Sequence, residues 1–289
     1  MVDEPTGVAL APITDNDVRA VAAFLHEHLN RRLSPAEWAR CAVPPWDVDA
    51  PNHGFMLRQG GEVVGAYLAF YSERADGDRT RRMCNLAAWC VLDEHRGHGL
   101  RMVRALLRQS GYEFVDLSPS GNVVELNKRL GFESLDTATS MVPNLPLASR
   151  RGVRLVTAPC AIEALLTGTE LSVYRDHRGA AAALHFVVKV DGDICYVIAR
   201  RDRRRGLPLF ASLLYVSDPV VLARAGHAPY RHLLLRHRAL VTLVERRVVG
   251  RRPKLSWEQH SPRPKMFRSG QVPARSIDYL YSELTCVPW

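Results

Sequence analysis

The 289-residue sequence holds no run of 18 uncharged apolar residues, and it opens MVDEPTGVAL, without a basic segment followed by an apolar one. The first absence excludes a hydrophobic membrane-spanning helix, and the second argues against a secretory leader. A soluble, cytoplasmic protein is therefore expected. The six cysteines, Cys41, Cys84, Cys90, Cys160, Cys195 and Cys286, include no Cys-x-x-Cys pair and are scattered, several of them inside apolar runs. That pattern argues against a zinc site and against a disulfide framework, and it predicts reduced residues in the core.

What the chain has is apolar material and unevenly placed charge. Hydrophobic residues make up 47% of it, enough for real cores, and a length of 289 residues favours two domains over one. Residues 1–147 carry a net charge of −4 and residues 148–289 one of +13. The basic half includes Arg200-Arg201-Asp202-Arg203-Arg204-Arg205. Clustered arginines bind nucleic acid through phosphates, but no interleaved aromatics stand by to stack bases. A solvated hairpin tip is the expected reading, and nucleic acid is not an expected partner.

The chain is organised around Cys84 to Phe132. Leu86 to Leu92 is a short apolar run that reads as a buried strand. A charged turn follows, then Gly97-His98-Gly99, and then Leu100, Val103 and Leu107 at helical spacing with Arg101, Arg104 and Arg108 on the opposite face. Glycines at a strand-to-helix turn let backbone N–H groups converge, and the helix adds the positive end of its dipole. A phosphate or pyrophosphate suits such a place, with Arg96 and His98 as reinforcement. A dinucleotide loop would need a third glycine where Met102 stands, and a P-loop would need Gly-Lys-Ser/Thr. Tyr112 to Leu117 reads as the next strand and Asn122 to Leu130 as a helix closed by Gly131.

On these residues the first half resembles the GCN5-related N-acetyltransferases. VLDEHRGHGLRMVRALL is similar to their Arg/Gln-x-x-Gly-x-Gly/Ala loop, and NVVELNKRLGF to the segment that usually ends Tyr-x-x-x-Gly-Phe. The resemblance implies an α/β (α+β) acetyltransferase fold, a mixed and mostly antiparallel sheet flanked by helices, with acetyl-coenzyme A or another acyl-coenzyme A as co-substrate. It implies that Cys90, Val91 and Leu92 present backbone N–H groups to the pantetheine, and that Arg96, Gly97, His98, Gly99, Leu100 and Arg101 hold the pyrophosphate. Two departures stand out. Arg101 occupies a loop position that is normally small, and Asn127 replaces the tyrosine that commonly protonates the departing thiolate.

The remaining segments follow the order of that fold. Gly7 to Ile13 is a predicted strand, and Val18, Val21, Phe24 and Leu25 share one face of a predicted helix. Ser34-Pro35 with Glu37 is a capping-box start for a second helix. Strands about Gly60-Gly61 form a hairpin, Ala75-Asp76-Gly77-Asp78 turns the chain into the strand of the organising stretch, and Met141 to Leu145 is assigned as the last strand of a domain spanning 1–147. Residues 148–289 repeat the pattern: a strand at Val153 to Thr157, a helix at Ala161 to Leu166, a hairpin about Asp191-Gly192-Asp193, and an apolar strand from Leu209 to Val216. That strand ends in Ser217-Asp218-Pro219, with no Arg-x-x-Gly-x-Gly. Leu240 to Val249 is read as a strand and Ile277 to Leu284 as a final helix, which makes this half a degenerate second copy of the fold.

The chemistry read from this is transfer of an acetyl or other short acyl group to an amine or sugar hydroxyl of a small molecule, an anionic one included. Asn127 and Ser120 are the catalytic candidates, with Ser118 beside them. Asn127 would orient the thioester or bond a neighbouring strand, and a loop serine would relay a proton. No carboxylate falls within Leu86 to Leu92, so Glu73, Asp116 and His53 stand as general-base candidates. Trp38, Trp46 and His53 lie where an acceptor would approach, although packing is the expected role of the tryptophans. The rival readings are a non-catalytic acyl-coenzyme A-binding protein and an RNA-associated protein.

Overall fold

The computed structural model describes residues 7–76, 79–204, 206–260 and 262–289. Gly77 and Asp78 of the expected turn, Arg205 of the arginine run and residues 1–6 lie outside the described residues.

The first half supplies β1 (Ala9–Pro12), α1 (Val18–His28), α2 (Pro35–Ala42), β2 (Gly54–Gln59), β3 (Glu62–Asp76), β4 (Arg79–Val91), α3 (Gly99–Leu107), β5 (Glu113–Asp116), α4 (Val123–Arg129), β6 (Glu133–Ser134) and β7 (Thr139–Pro143). Local chemistry explains several of these. Val18, Val21, Ala22, Phe24 and Leu25 are the buried face of α1. Ser34 accepts the Glu37 N–H while Glu37 accepts the Ser34 N–H, so the capping box forms. Gly131, at φ +84°, ends α4 in a conformation that glycine adopts without strain.

The second half supplies β8 (Val153–Val156), α5 (Pro159–Leu165), α6 (Gly168–His177), β9 (Leu184–Val190), β10 (Asp193–Arg204), β11 (Leu207–Val216), α7 (Pro219–Arg224), α8 (Ala228–His237), β12 (Val241–Glu245), α9 (Arg246–Val249), β13 (Trp257–Glu258), β14 (Met266–Arg268) and α10 (Glu283–Cys286). The structure corrects two sequence expectations in this half. The strand from Leu240 stops at Glu245, where α9 begins. The final helix is confined to Glu283–Cys286: Tyr281 takes φ +55° and Ser282 is extended, its hydroxyl capping the Leu284 N–H, so helix cannot run through from Ile277.

The chain forms two compact units. The first runs to Ser134 and takes in Lys265–Pro273 and Tyr281–Val287; the second holds Leu135–Pro264, Ala274–Leu280 and Pro288–Trp289. Each has a seven-stranded mixed sheet, ordered β1-β2-β3-β4-β5-β14-β6 in the first and β13-β7-β12-β11-β10-β9-β8 in the second. Read from β8, the second sheet repeats the first in sense as well as order. Both have antiparallel pairs up to the fourth strand, a parallel fourth–fifth pair, and an antiparallel sixth strand. The sixth strand overturns the assignment of Met141 to Leu145. Residues 139–143 pair with β12 in the second unit's sheet, and the corresponding place beside β5 is filled by β14. Each unit therefore takes its sixth strand from the other half of the chain. The first core gathers Leu57, Tyr67, Leu86, Met102, Leu106 and Phe114, and the second Val142, Phe186, Val197, Leu213, Leu233 and Val244.

A parted strand pair and a glycine turn as the candidate functional site

β4 pairs with β5 only from Met83 to Leu86, where Leu86 lies opposite Asp116, the last residue of β5. β4 then continues for five residues to Val91 without β5 beside it. Along the same stretch a bulge interrupts its other edge: Ala66 faces Cys90 and Leu68 faces Ala87, so Ala88 and Trp89 both oppose Tyr67. Ala88 takes φ +54°, unusual for a residue with a Cβ, and Tyr67 stacks on Trp89 with ring centroids 5.2 Å apart. The bulge resets which backbone groups face the opening. Leu92 donates its N–H to Val64. By the alternation of an antiparallel ladder, Cys90 also faces β3 and Val91 turns its N–H to the unpaired side. Of the three backbone groups expected from sequence, Val91 presents its N–H, whereas that of Leu92 is occupied.

From Leu92 the chain makes a 3₁₀ turn over Asp93–His98 and enters α3. Gly97 and Gly99 both avoid positive φ. Gly99 packs closely: a Cβ there would sit 3.2 Å from the Trp89 ring, which would have to shift. At Gly97 a Cβ would meet nothing within 4 Å, so that side of the turn is open. No side chain caps the N-terminus of α3, but the 3₁₀ turn runs straight into it and the Gly99 N–H donates to the Arg96 carbonyl. Arg96 is exposed and lies 2.7 Å from the Asp93 carboxylate. Arg101 reaches 2.7 Å to the Val8 carbonyl and 3.4 Å to His98 Nδ1, so the bulky residue at the small position turns toward the start of β1. Leu100 is exposed.

Cys90, Val91, Arg96 and Gly99 come together on a cleft of about 870 Å³ whose opposite wall is Asn122, Val123, Leu126 and Arg129 at α4. The carboxylates of Asp93 and Glu125 also line it, and Trp89 and His28 complete the lining. The sequence marked neither. Trp89 lay in the apolar run without a motif of its own, and His28 ends a helix more than sixty residues away. The Trp89 indole N–H is buried and has no hydrogen-bond partner among the described residues. Burial raises the Cys90 thiol to about 11, so it stays protonated at neutral pH.

The catalytic candidates are placed differently. Asn127 is 2% exposed, and its amide donates to Asp116 Oδ2 at 2.8 Å. It thus makes the strand-directed bond, fastening α4 to the end of β5. Ser118 donates its N–H to the other Asp116 oxygen and its hydroxyl, at 2.7 Å, to the buried Glu283. Ser120 is exposed, and its carbonyl accepts the Val123 N–H. Burial lifts the Asp116 carboxyl to about 6, against the opposing pull of Asn127 and of the Ser118 N–H. Of the other base candidates, Glu73 is 2.7 Å from Arg82 and His53 is 2.7 Å from Asp15. Trp38 and Trp46 are core residues, bonded to the carbonyls of Asn30 and Tyr71.

The corresponding junction of the second unit has other chemistry. Asp218 accepts the N–H groups of Val220 and Val221, and Pro219 starts α7. The arginine run is tied down rather than solvated at its centre. Asp202 is 6% exposed, lies 3.1 Å from Arg263, accepts the Ser212 hydroxyl, and is held below the usual carboxylate range by the surrounding arginines. Cys160 is exposed, in contrast to the buried Cys41, Cys84, Cys195 and Cys286. Among the described residues, no group of three or more His, Cys, Asp or Glu is arranged to hold a metal ion, and no helix is long and apolar enough to cross a membrane.

No protein-family model and no curated protein matches the sequence. Among solved structures, the chain is similar to a GCN5-related N-acetyltransferase from Kribbella flavida, at TM-score 0.56 and 17% identity over 93% of this chain and 72% of that one. A GCN5-related N-acetyltransferase from Anabaena variabilis gives TM-score 0.54 and 11% identity, covering 91% of this chain and 72% of the other. An N-myristoyltransferase from Saccharomyces cerevisiae, solved with bound myristoyl-CoA, gives TM-score 0.51 and 11% identity, covering 99% and 88%. At these identities the likeness is one of fold, and the two mixed sheets with their flanking helices have the fold of the GCN5-related N-acetyltransferase structures.

Proposed function

We propose that the chain is an acyltransferase that takes an acetyl or other short acyl group from acyl-coenzyme A, bound in the first unit, and delivers it to an amine or sugar hydroxyl of a small molecule. The observation that carries this reading is the parting of β4 from β5 at Leu86 and Asp116, which opens beside the glycine turn into α3 on a single cleft. Acyl-coenzyme A would supply the activated thioester. The chain's own part is to bind and polarise it. The Val91 N–H is the donor for the pantetheine and thioester oxygens, and a hydrogen-bond donor preorganised at a developing oxyanion is worth far more than water there. The open face at Gly97 and the charge of Arg96 suit a pyrophosphate. The second unit is read as a degenerate copy of the fold without a cofactor loop, on the strength of its matching strand order.

One observation favours a second reading, an acyl-coenzyme A-binding protein without turnover. Asn127 cannot protonate a thiolate and is committed to Asp116. Thiol release from acetyl-coenzyme A, measured across a panel of amines and sugars with coenzyme A affinity followed in parallel, separates the two. Release that depends on one acceptor class supports transfer. Binding without release for any acceptor supports the second reading, and absence of binding removes both.

A further inference from the structure

The second unit contains a cleft of its own, about 420 Å³ in volume, bounded by α5, α6, the start of β9 and α8. That is within the usual range for a small-molecule site. The basic side chains Arg178, Arg236, His185, His232 and His237 line it, and no carboxylate does.

These five groups divide by what already holds them. His185 is fully used: it faces the His177 carbonyl at 3.1 Å through Nε2, which must therefore donate, leaving Nδ1 to accept from the Tyr196 hydroxyl at 2.8 Å. It is a neutral wall. Arg178 lies 3.3 Å from Glu163, which is also bonded to Arg175. Arg236 makes no ion pair among the described residues, and His232 and His237 make no hydrogen bond among them. The two histidine rings instead contact each other, with centroids 5.4 Å apart. Burial, the other histidine and Arg236 push His232 down to about 4; burial, Arg201 and Arg236 lower His237. Each cationic form is disfavoured by its neighbours, and no acid opposes them. Ile162, Ala183, Leu184 and Pro159 supply apolar surface on the same cleft.

We infer that this cleft binds a small organic anion with an apolar body, a carboxylate on an aliphatic or aromatic chain. Its charged end lies among His232, Arg236 and His237, and its body lies against Ile162 and Leu184. No residue lines both this cleft and the acyl-coenzyme A cleft of the first unit, and the inference does not depend on the latter.

The test uses the full chain and three probes: hexanoate, which has both parts, 1-hexanol, which has the body alone, and acetate, which has the charge alone. Ring signals of His232 and His237 are followed by NMR, with His237→Asn to assign them. Hexanoate should move both signals saturably and bind at least about tenfold more tightly than either partial probe. Arg236 is exposed, so Arg236→Ala should fold normally and weaken hexanoate about tenfold or more, the loss of one charge-assisted contact. Excess coenzyme A should leave the shifts unchanged. The inference is overturned if hexanoate binds no better than hexanol, if Arg236→Ala binds it unchanged, or if coenzyme A displaces it.

Discussion

In the first unit β4 runs into Gly97-His98-Gly99, and in the second the matching strand, β11, runs into Ser217-Asp218-Pro219. The strands leading to these turns are alike. β11 also carries a bulge, between the pairs Ile198–Tyr215 and Ala199–Leu213, and it also leaves its parallel neighbour early, at Ser212 opposite Leu243. The scaffold that opens a sheet is therefore present twice, whereas the chemistry for receiving an anion at that opening is present once. In the second unit the helix N-terminus is already satisfied by the Asp218 carboxylate. A parted strand pair is an architectural fact, and on the proposed reading the turn at its end decides whether it becomes a site.

The largest effect is expected from Gly99→Glu. Its Cβ would press on Trp89 at 3.2 Å, and its carboxylate would enter a cleft suited to phosphates. Coenzyme A binding by calorimetry should be lost, and Gly99→Ala, with the same Cβ and no charge, should lie between that variant and the parent. Unchanged affinity in a folded Gly99→Glu chain would refute the placement of the cofactor.

Next comes Asp116. Its carboxyl in the folded chain is raised to about 6 from an ordinary 3.8, so between these values the folded state holds more protons than the unfolded one. Stability contributed at this group therefore falls as pH rises from 4 to 6, and the charged form costs on the order of 3 kcal/mol above that window. Asp116→Asn should flatten the pH dependence of urea midpoints between pH 4 and 7. An unaltered slope would assign the dependence to other groups.

How much of this was legible in the sequence depends on the range of the interaction. The capping box at Ser34 and Glu37, the Gly60-Gly61 hairpin and the glycine turn are encoded within a few residues, and the structure has all three. The Asn127–Asp116 bond joins a helix to a strand 11 positions back, and no local spacing announces it. The sixth strands were harder still. TSMVP and MFR are short, and either could add to an available sheet edge, so pattern alone cannot say that residues 139–143 belong with β12. Ile277, Leu280 and Leu284 have helical spacing, but Tyr279 is spent on Glu245 and Tyr281 adopts positive φ. Side-chain bonding there overrides periodicity.

Arg96→Ala sharpens the comparison on the first side. The arginine is highly exposed and, among the described residues, paired only to an exposed Asp93, so stability should barely move. Coenzyme A affinity should still fall by about 1.5–3 kcal/mol, roughly ten- to a hundredfold, if the guanidinium meets the pyrophosphate. Equal affinity in the variant would leave the turn's backbone as the whole of the anion site.

The smallest effect is expected from Asp218→Ala, which tests the second side. Removing this cap should cost about 1 kcal/mol, read as a lower urea midpoint, because two N–H groups of α7 lose their acceptor. It should not create a second coenzyme A site. Pro219 has no N–H to offer, α7 has only six residues, and no glycine between Val216 and Pro219 lets a pyrophosphate approach the backbone. Calorimetry on both the parent and the variant should therefore give one coenzyme A per chain. A stoichiometry of two in the variant would mean that Asp218 alone had closed the second site, and two in the parent would mean that the difference between the turns does not decide where the cofactor binds.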